Sequence, residues 1–275
     1  MTTFTLGRGF DLSNGYNRLL LILFVLLSAG GALISGSLLQ GLGIGGGFFF
    51  SWALAREIDP LHPTAAFVAA GVFLLSLPWY DGLSFGALFW LVLMLRMMTR
   101  ICGKIPTNLD LAVLFGLSGW LAWSGKDSVI LLLLGAGLLV AYSRYGKQFR
   151  WAVASLVGAA AYLAGSFIWH LEPGWLFSLD PTLRPVVLGT AAVLGAGLML
   201  AFRKAPLAGD DLGQPVPNRW LQHGRGLFVL TTFAFMLAGP ASGSTVALLL
   251  AVQAGVLAHR VWFSGRERLK REETD

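Results

Sequence analysis

The chain has 275 residues, 56% of them hydrophobic and 12% charged, with a mean hydropathy of +0.70 and a net charge of +6. Soluble domains carry about 25% charged residues, so a soluble enzyme is excluded, and no polar stretch is long enough to build a second domain. Residues 1–275 are therefore expected to form one integral membrane domain of the all-α class, a polytopic transmembrane helical bundle.

Apolar stretches long enough to cross the hydrocarbon predict ten spans, at 18–38, 40–57, 64–80, 84–101, 109–124, 128–145, 150–169, 185–203, 225–239 and 244–263. Arg8 and Arg18 precede the first, and the small residues 28–32 within it are compatible with a signal cleavage site. The apolar run resumes through Leu33, Ile34, Leu38 and Leu39, which predicts a retained span. The second span opens on Gly41-Leu42-Gly43-Ile44-Gly45-Gly46-Gly47. Glycines four apart let two helices approach closely. In a sharper reading, an unwound half-helix there would put Gly43, Gly45 and Gly47 against a substrate.

The densest polar cluster follows, Arg56-Glu57-Ile58-Asp59-Pro60-Leu61-His62-Pro63. Glu57, Asp59 and His62 are the candidate catalytic residues, able to supply an acid/base pair at the inner face. Asp59-Pro60 also fits an N-cap followed by proline at the first helical position. One histidine without a second ligand motif predicts no metal site. Arg96 and Arg100, four apart on one helix face, join Arg56 as the candidate anion- or headgroup-binding set. Asp110 is expected either to be their counter-ion or to sit in the first turn of the fifth helix. Cys102 is the only cysteine, so no intrachain disulfide forms.

Farther on, the outer stretch 170–184 predicts a short amphipathic element on the membrane surface. The inner loop 203–225, rich in Pro, Gly and Asp, disfavours regular structure. Thr231, Thr232 and Gln253 fall within spans and are candidate substrate contacts; hydrogen bonds to neighbouring helices explain them equally well. His259 lies nearer the inner end, beside Arg260, while His170 and His223 fall on opposite faces. The tail 264–275 carries Arg266, Arg268, Lys270 and Arg271, an anchor for anionic lipid.

Basic residues resist translocation, so they mark cytoplasmic loops. With ten spans and an inside N-terminus, eighteen of the 20 Lys and Arg residues fall inside, leaving only Lys126 and Arg184 outside. This predicts a multi-pass protein of the cell (inner) membrane with both termini in the cytoplasm. Reporter fusions after residues 103, 147, 210 and 275 are expected to report cytoplasm, and fusions near 82, 126 and 178 the outside. A C-terminal fusion active only outside would refute the ten-span arrangement.

Ten spans also permit two inverted five-helix halves, a plan many transporters share. The function expected from the sequence is a carrier or flippase for a small or amphipathic substrate. The alternative is a membrane-embedded enzyme acting on a lipid-linked substrate at the cytoplasmic face, and the third reading is a structural subunit of a membrane complex. Membrane lipids and a small or lipid-like substrate are the expected partners. No soluble basic module is present, so no nucleic acid is expected, and no cofactor motif occurs. The paired aspartate motifs of membrane prenyltransferases and the His-Glu-x-x-His motif of zinc proteases are missing.

Overall fold

Residues 4–7, 11–125, 128–144, 149–168, 175–202, 208–209, 213–238 and 242–272 are described by a computed structural model. They form ten α-helices: α1 (Gly15–Ser35), α2 (Leu38–Ile58), α3 (Pro63–Leu74), α4 (Phe85–Thr99), α5 (Asn108–Gly125), α6 (Val129–Arg144), α7 (Phe149–Ile168), α8 (Arg184–Ala201), α9 (Asn218–Leu237) and α10 (Gly243–Glu272). Each predicted stretch overlaps one α-helix, but α3 stops at Leu74, short of the predicted 80, with a 3-10 turn at Leu77–Trp79, and α10 runs past 263 to Glu272. Gly15–Ser35, Leu38–Ile58, Arg184–Ala201 and Gly243–Phe263 are long and apolar enough to cross a membrane, by length and composition. Shorter apolar helices occupy Pro63–Leu74, Phe85–Thr99, Val129–Tyr142 and Val153–Ser166. The chain is thus an all-α, membrane-embedded protein. Its periphery bears out the solvent expected: Leu33, Ile34, Val193 and Leu200 stand out from the bundle, Ile34 at 91% exposure.

Local signals explain the helix ends. Asn14 caps α1 by accepting the Tyr16 N–H at 2.9 Å, and Gly36, at φ 69°, ends it in the left-handed conformation that glycine adopts without strain. Two expectations need correction. The stretch 203–225 is not wholly irregular: β1 (Ala208–Gly209) pairs antiparallel with β2 (Pro215–Val216), and α9 starts at Asn218. Pro217, at φ −59°, presets the backbone for that start. In the predicted surface element, residues 175–184 are described; they open with a 3-10 turn at Trp175–Ser178 that packs on α8 and α9, with Leu176 buried. His170 and the loop cations Arg8, Lys126, Lys147, Arg203 and Lys204 lie outside the described residues.

At the centre stands α4, buried on nearly all sides through Trp90, Leu91, Met94, Leu95 and Met97. It contacts α2, α5, α6 and α9. Trp90 donates its indole N–H to Ser118 Oγ at 2.7 Å, satisfying a donor that apolar surroundings would otherwise strand. Helix α10 packs against α3, α2 and α8, while α1 lies on α2 and α7 on α6. Glycine sets two of these contacts. Gly41 and Gly45 press on Ser28 and Ala32 of α1, and Gly255 presses on the Ala69 backbone of α3.

At one end, the loop after α3 caps α10. Asp81 accepts the Gly243 and Ser244 N–H groups at 3.1 and 2.9 Å, and its own N–H donates to Ser244 Oγ at 2.8 Å. Burial pushes the Asp81 carboxyl up, but the bonds from Ser244 and Gly243 outweigh it and hold the group below its ordinary value. A lowered carboxyl contributes stability above its unfolded pKa, and that contribution is lost as pH falls through the folded value. Asp81→Asn is expected to cost about 1 kcal/mol at pH 7, since solvent screens this exposed cap. The difference in Tm between variant and parent should shrink below about pH 4; a constant difference would refute the assignment.

Candidate functional site

The opposite end collects most of the buried charge. Helix α2 ends at Ile58, and Asp59 follows as its C-cap, with its N–H still bonded to the Ala55 carbonyl at 2.8 Å. The predicted N-cap role of Asp59 is therefore wrong: His62 occupies the cap of α3 and Pro63 its first position. Pro60 and Leu61 turn the chain between the helices, which brings Asp59 and His62 together. Both Asp59 carboxylate oxygens lie 3.0 Å from His62 Nδ1. An ionised carboxylate only accepts, so in a neutral imidazole this pairing puts the proton on Nδ1 and leaves Nε2 as the basic nitrogen. Asp59 is 1% exposed and His62 34%.

A carboxylate at a helix C-terminus meets the negative end of the dipole, and α9 answers this with Arg225. Its Nε and Nη2 donate to the Ile58 carbonyl at 3.1 and 3.0 Å, satisfying a terminal α2 carbonyl, and its charge acts on Asp59. The Arg225 guanidinium, 1% exposed, lies 4.3 Å from the centre of the Phe202 ring. Arg260 of α10 lies over the same ring, at 4.4 Å. One turn-face away, His259 Nε2 is 2.8 Å from Thr64 Oγ1, and its ring sits 5.5 Å from that of His62 and 4.4 Å from that of Phe263.

His62, His259 and Arg260 border a cavity of about 400 Å³, lined also by Ala201, Leu257, Val261 and Phe263. It lies between the start of α3, the end of α8 and α10. Val261 and the adjacent Trp262 are strongly exposed, so the cavity opens sideways onto an apolar flank. One wall is imidazole and guanidinium, the other aliphatic and aromatic. That arrangement suits a molecule with an anionic head and an apolar body.

The remaining predicted residues divide. Glu57, buried, accepts from Arg96 Nε at 2.8 Å through Oε1, while its Oε2 has no hydrogen-bond partner. Arg96 also donates to the Leu6 carbonyl at 3.1 Å. Arg100 does not join it: this residue caps α4 at φ 56° and its Nε bonds the Gly103 carbonyl at 3.0 Å. Arg56 Nη1 bonds the Pro60 carbonyl at 2.9 Å. Asp110 lies in the first turn of α5 but is not a counter-ion to those arginines. It accepts from the N–H and hydroxyl of Thr5 at 2.8 and 2.6 Å and from Thr107 N–H at 2.6 Å, pinning the N-terminal segment beneath the bundle.

Deeper in the bundle, Gln253 Nε2 donates to Thr232 Oγ1 at 3.0 Å, and Thr232 bonds back to the Phe228 carbonyl at 2.9 Å. Gln253 Oε1 and Thr231 Oγ1 are buried without partners. Helix α2 runs unbroken through its glycines. Gly43 abuts the Tyr80 hydroxyl, Gly45 abuts Ser28, and Gly47 abuts Phe73 and Leu83. The three glycines thus face different neighbours. Among the described residues, no group of three His, Cys, Asp or Glu side chains could hold a metal ion.

Sequence reasoning missed Arg225, His259, Arg260 and Phe202 as parts of one site. Comparison with protein-family models, curated proteins and solved structures finds no match, and the geometry alone carries the reading.

Proposed function

We propose that the protein is a membrane-embedded enzyme performing acid–base chemistry on an anionic amphipathic substrate at this end of the bundle. The carrying observation is the Asp59–His62 pair, aligned at 3.0 Å, with His62 set beside His259 and Arg260 on one cavity. Acid, base and anion-binding groups at one depth are what a catalytic site needs. His62 Nε2 is the base, Asp59 orients it, and Arg260 holds the anionic head. The Lys and Arg distribution supports a cytoplasmic position for this end and ten crossings for the chain.

A carrier is the second reading, favoured by Gln253 Oε1 and Thr231 Oγ1. Unpartnered oxygens inside a bundle are costly, and a passing substrate would satisfy them. The two readings separate by paired variants, scored as complementation of a deletion strain and normalised to folded protein in the membrane. His62→Ala is expected to abolish function, while Gln253→Leu costs less than about tenfold, or about 1.4 kcal/mol of barrier. The reverse pattern would sink the enzyme reading and leave the carrier.

A further inference from the structure

Resting on that reading of the cavity, we propose that its ligand is a phosphate monoester of a lipid, bound head-inward with its chain lying along the flank between α8 and α10. Arg260 has no ion pair or hydrogen bond among the described residues; only the Phe202 ring supports it. Among the described residues, the carboxylate beside this group, Asp59, is already shared by His62 and Arg225, and Glu57 is held by Arg96. Among the described residues the site therefore carries uncompensated positive charge, with two imidazole rings beside it. A phosphate monoester carries about −1.5 to −2 charge at pH 7 and three acceptor oxygens. It matches one arginine and two imidazoles, where a carboxylate or a phosphodiester, with a single charge, leaves part of the set unanswered. The tail side follows from the other wall. Leu257, Val261 and Phe263 are apolar, and Leu200 and Val193 continue an exposed apolar strip along α8.

The experiment is native mass spectrometry of the full-length protein titrated with four probes: phosphatidic acid, phosphatidylglycerol, phosphatidylcholine and glycerol 3-phosphate. Phosphatidic acid is expected to bind at least about tenfold more tightly than each of the others, about 1.4 kcal/mol. Arg260→Gln should remove that preference without altering thermal unfolding; if that variant is unstable, His62→Gln reports on the same cavity from a partly exposed position. Equal affinity for phosphatidylglycerol overturns the monoester, and equal affinity for glycerol 3-phosphate overturns the lipid. A folded Arg260→Gln protein that keeps the preference overturns the site. Expected binding with a fully active Asp59→Asn variant would sink the enzyme reading alone. No selective binding, with an inactive Asp59→Asn variant, would sink the ligand class alone.

Discussion

Asp59→Asn is expected to lower activity by about 100- to 10,000-fold while the helices stay assembled. Asparagine matches aspartate in size, so packing between α2 and α3 survives. The chemistry does not. An amide can donate to Nδ1, which moves the imidazole proton to Nε2 and blinds the base that faces the cavity. The same change removes the carboxylate whose charge acts on Arg225. Turnover or complementation is the readout, with thermal unfolding as the control for folding. Asp59→Glu should recover part of the activity, because a carboxylate on a longer stem still fixes the tautomer. A loss below about threefold would mean that His62 is not the base.

Arg225→Leu should have the largest effect on stability, about 3–5 kcal/mol. It strips two hydrogen bonds from the Ile58 carbonyl and leaves Asp59 buried beside the negative end of α2. Low yield of folded protein and a lowered Tm are the expected signs. Arg225→Lys should rescue only partly: an ammonium supplies the charge but neither the paired donors nor a flat face for Phe202. A leucine variant as stable as the parent would show that Arg225 contributes nothing net to the fold.

The helices were legible in the sequence because membrane spans announce themselves by length and apolarity. The start of α9 was hidden by polar residues: Asn218, Arg219, Gln222, His223 and Arg225 look like loop. Their spacing says otherwise. Leu221, Arg225, Phe228, Thr232 and Phe235 recur every three or four residues and form the buried face of α9. The same rule puts His259 three residues after buried Val256 on α10. Local pattern thus marks these as inward-facing polar residues, but which helix they meet is a matter of tertiary packing. Asp59 and His62 were found because their partnership is local. Arg225 and His259 reach their partners across most of the chain, and no spacing encodes that.

That long reach bears on how the protein comes into being. Thr64 and His259 meet across 195 residues, so the α3 side of the cavity waits until α10 has been synthesised. The N-terminal segment waits too: Thr5 finds its anchor only once Asp110 has been made and α5 has inserted. Until α10 arrives, the flank of α3 that receives Gly255 stands open. Ala69, fully covered in the finished fold, is where that helix seats. Closing that seam joins α10 to α3 and brings His259 to Thr64 in one step.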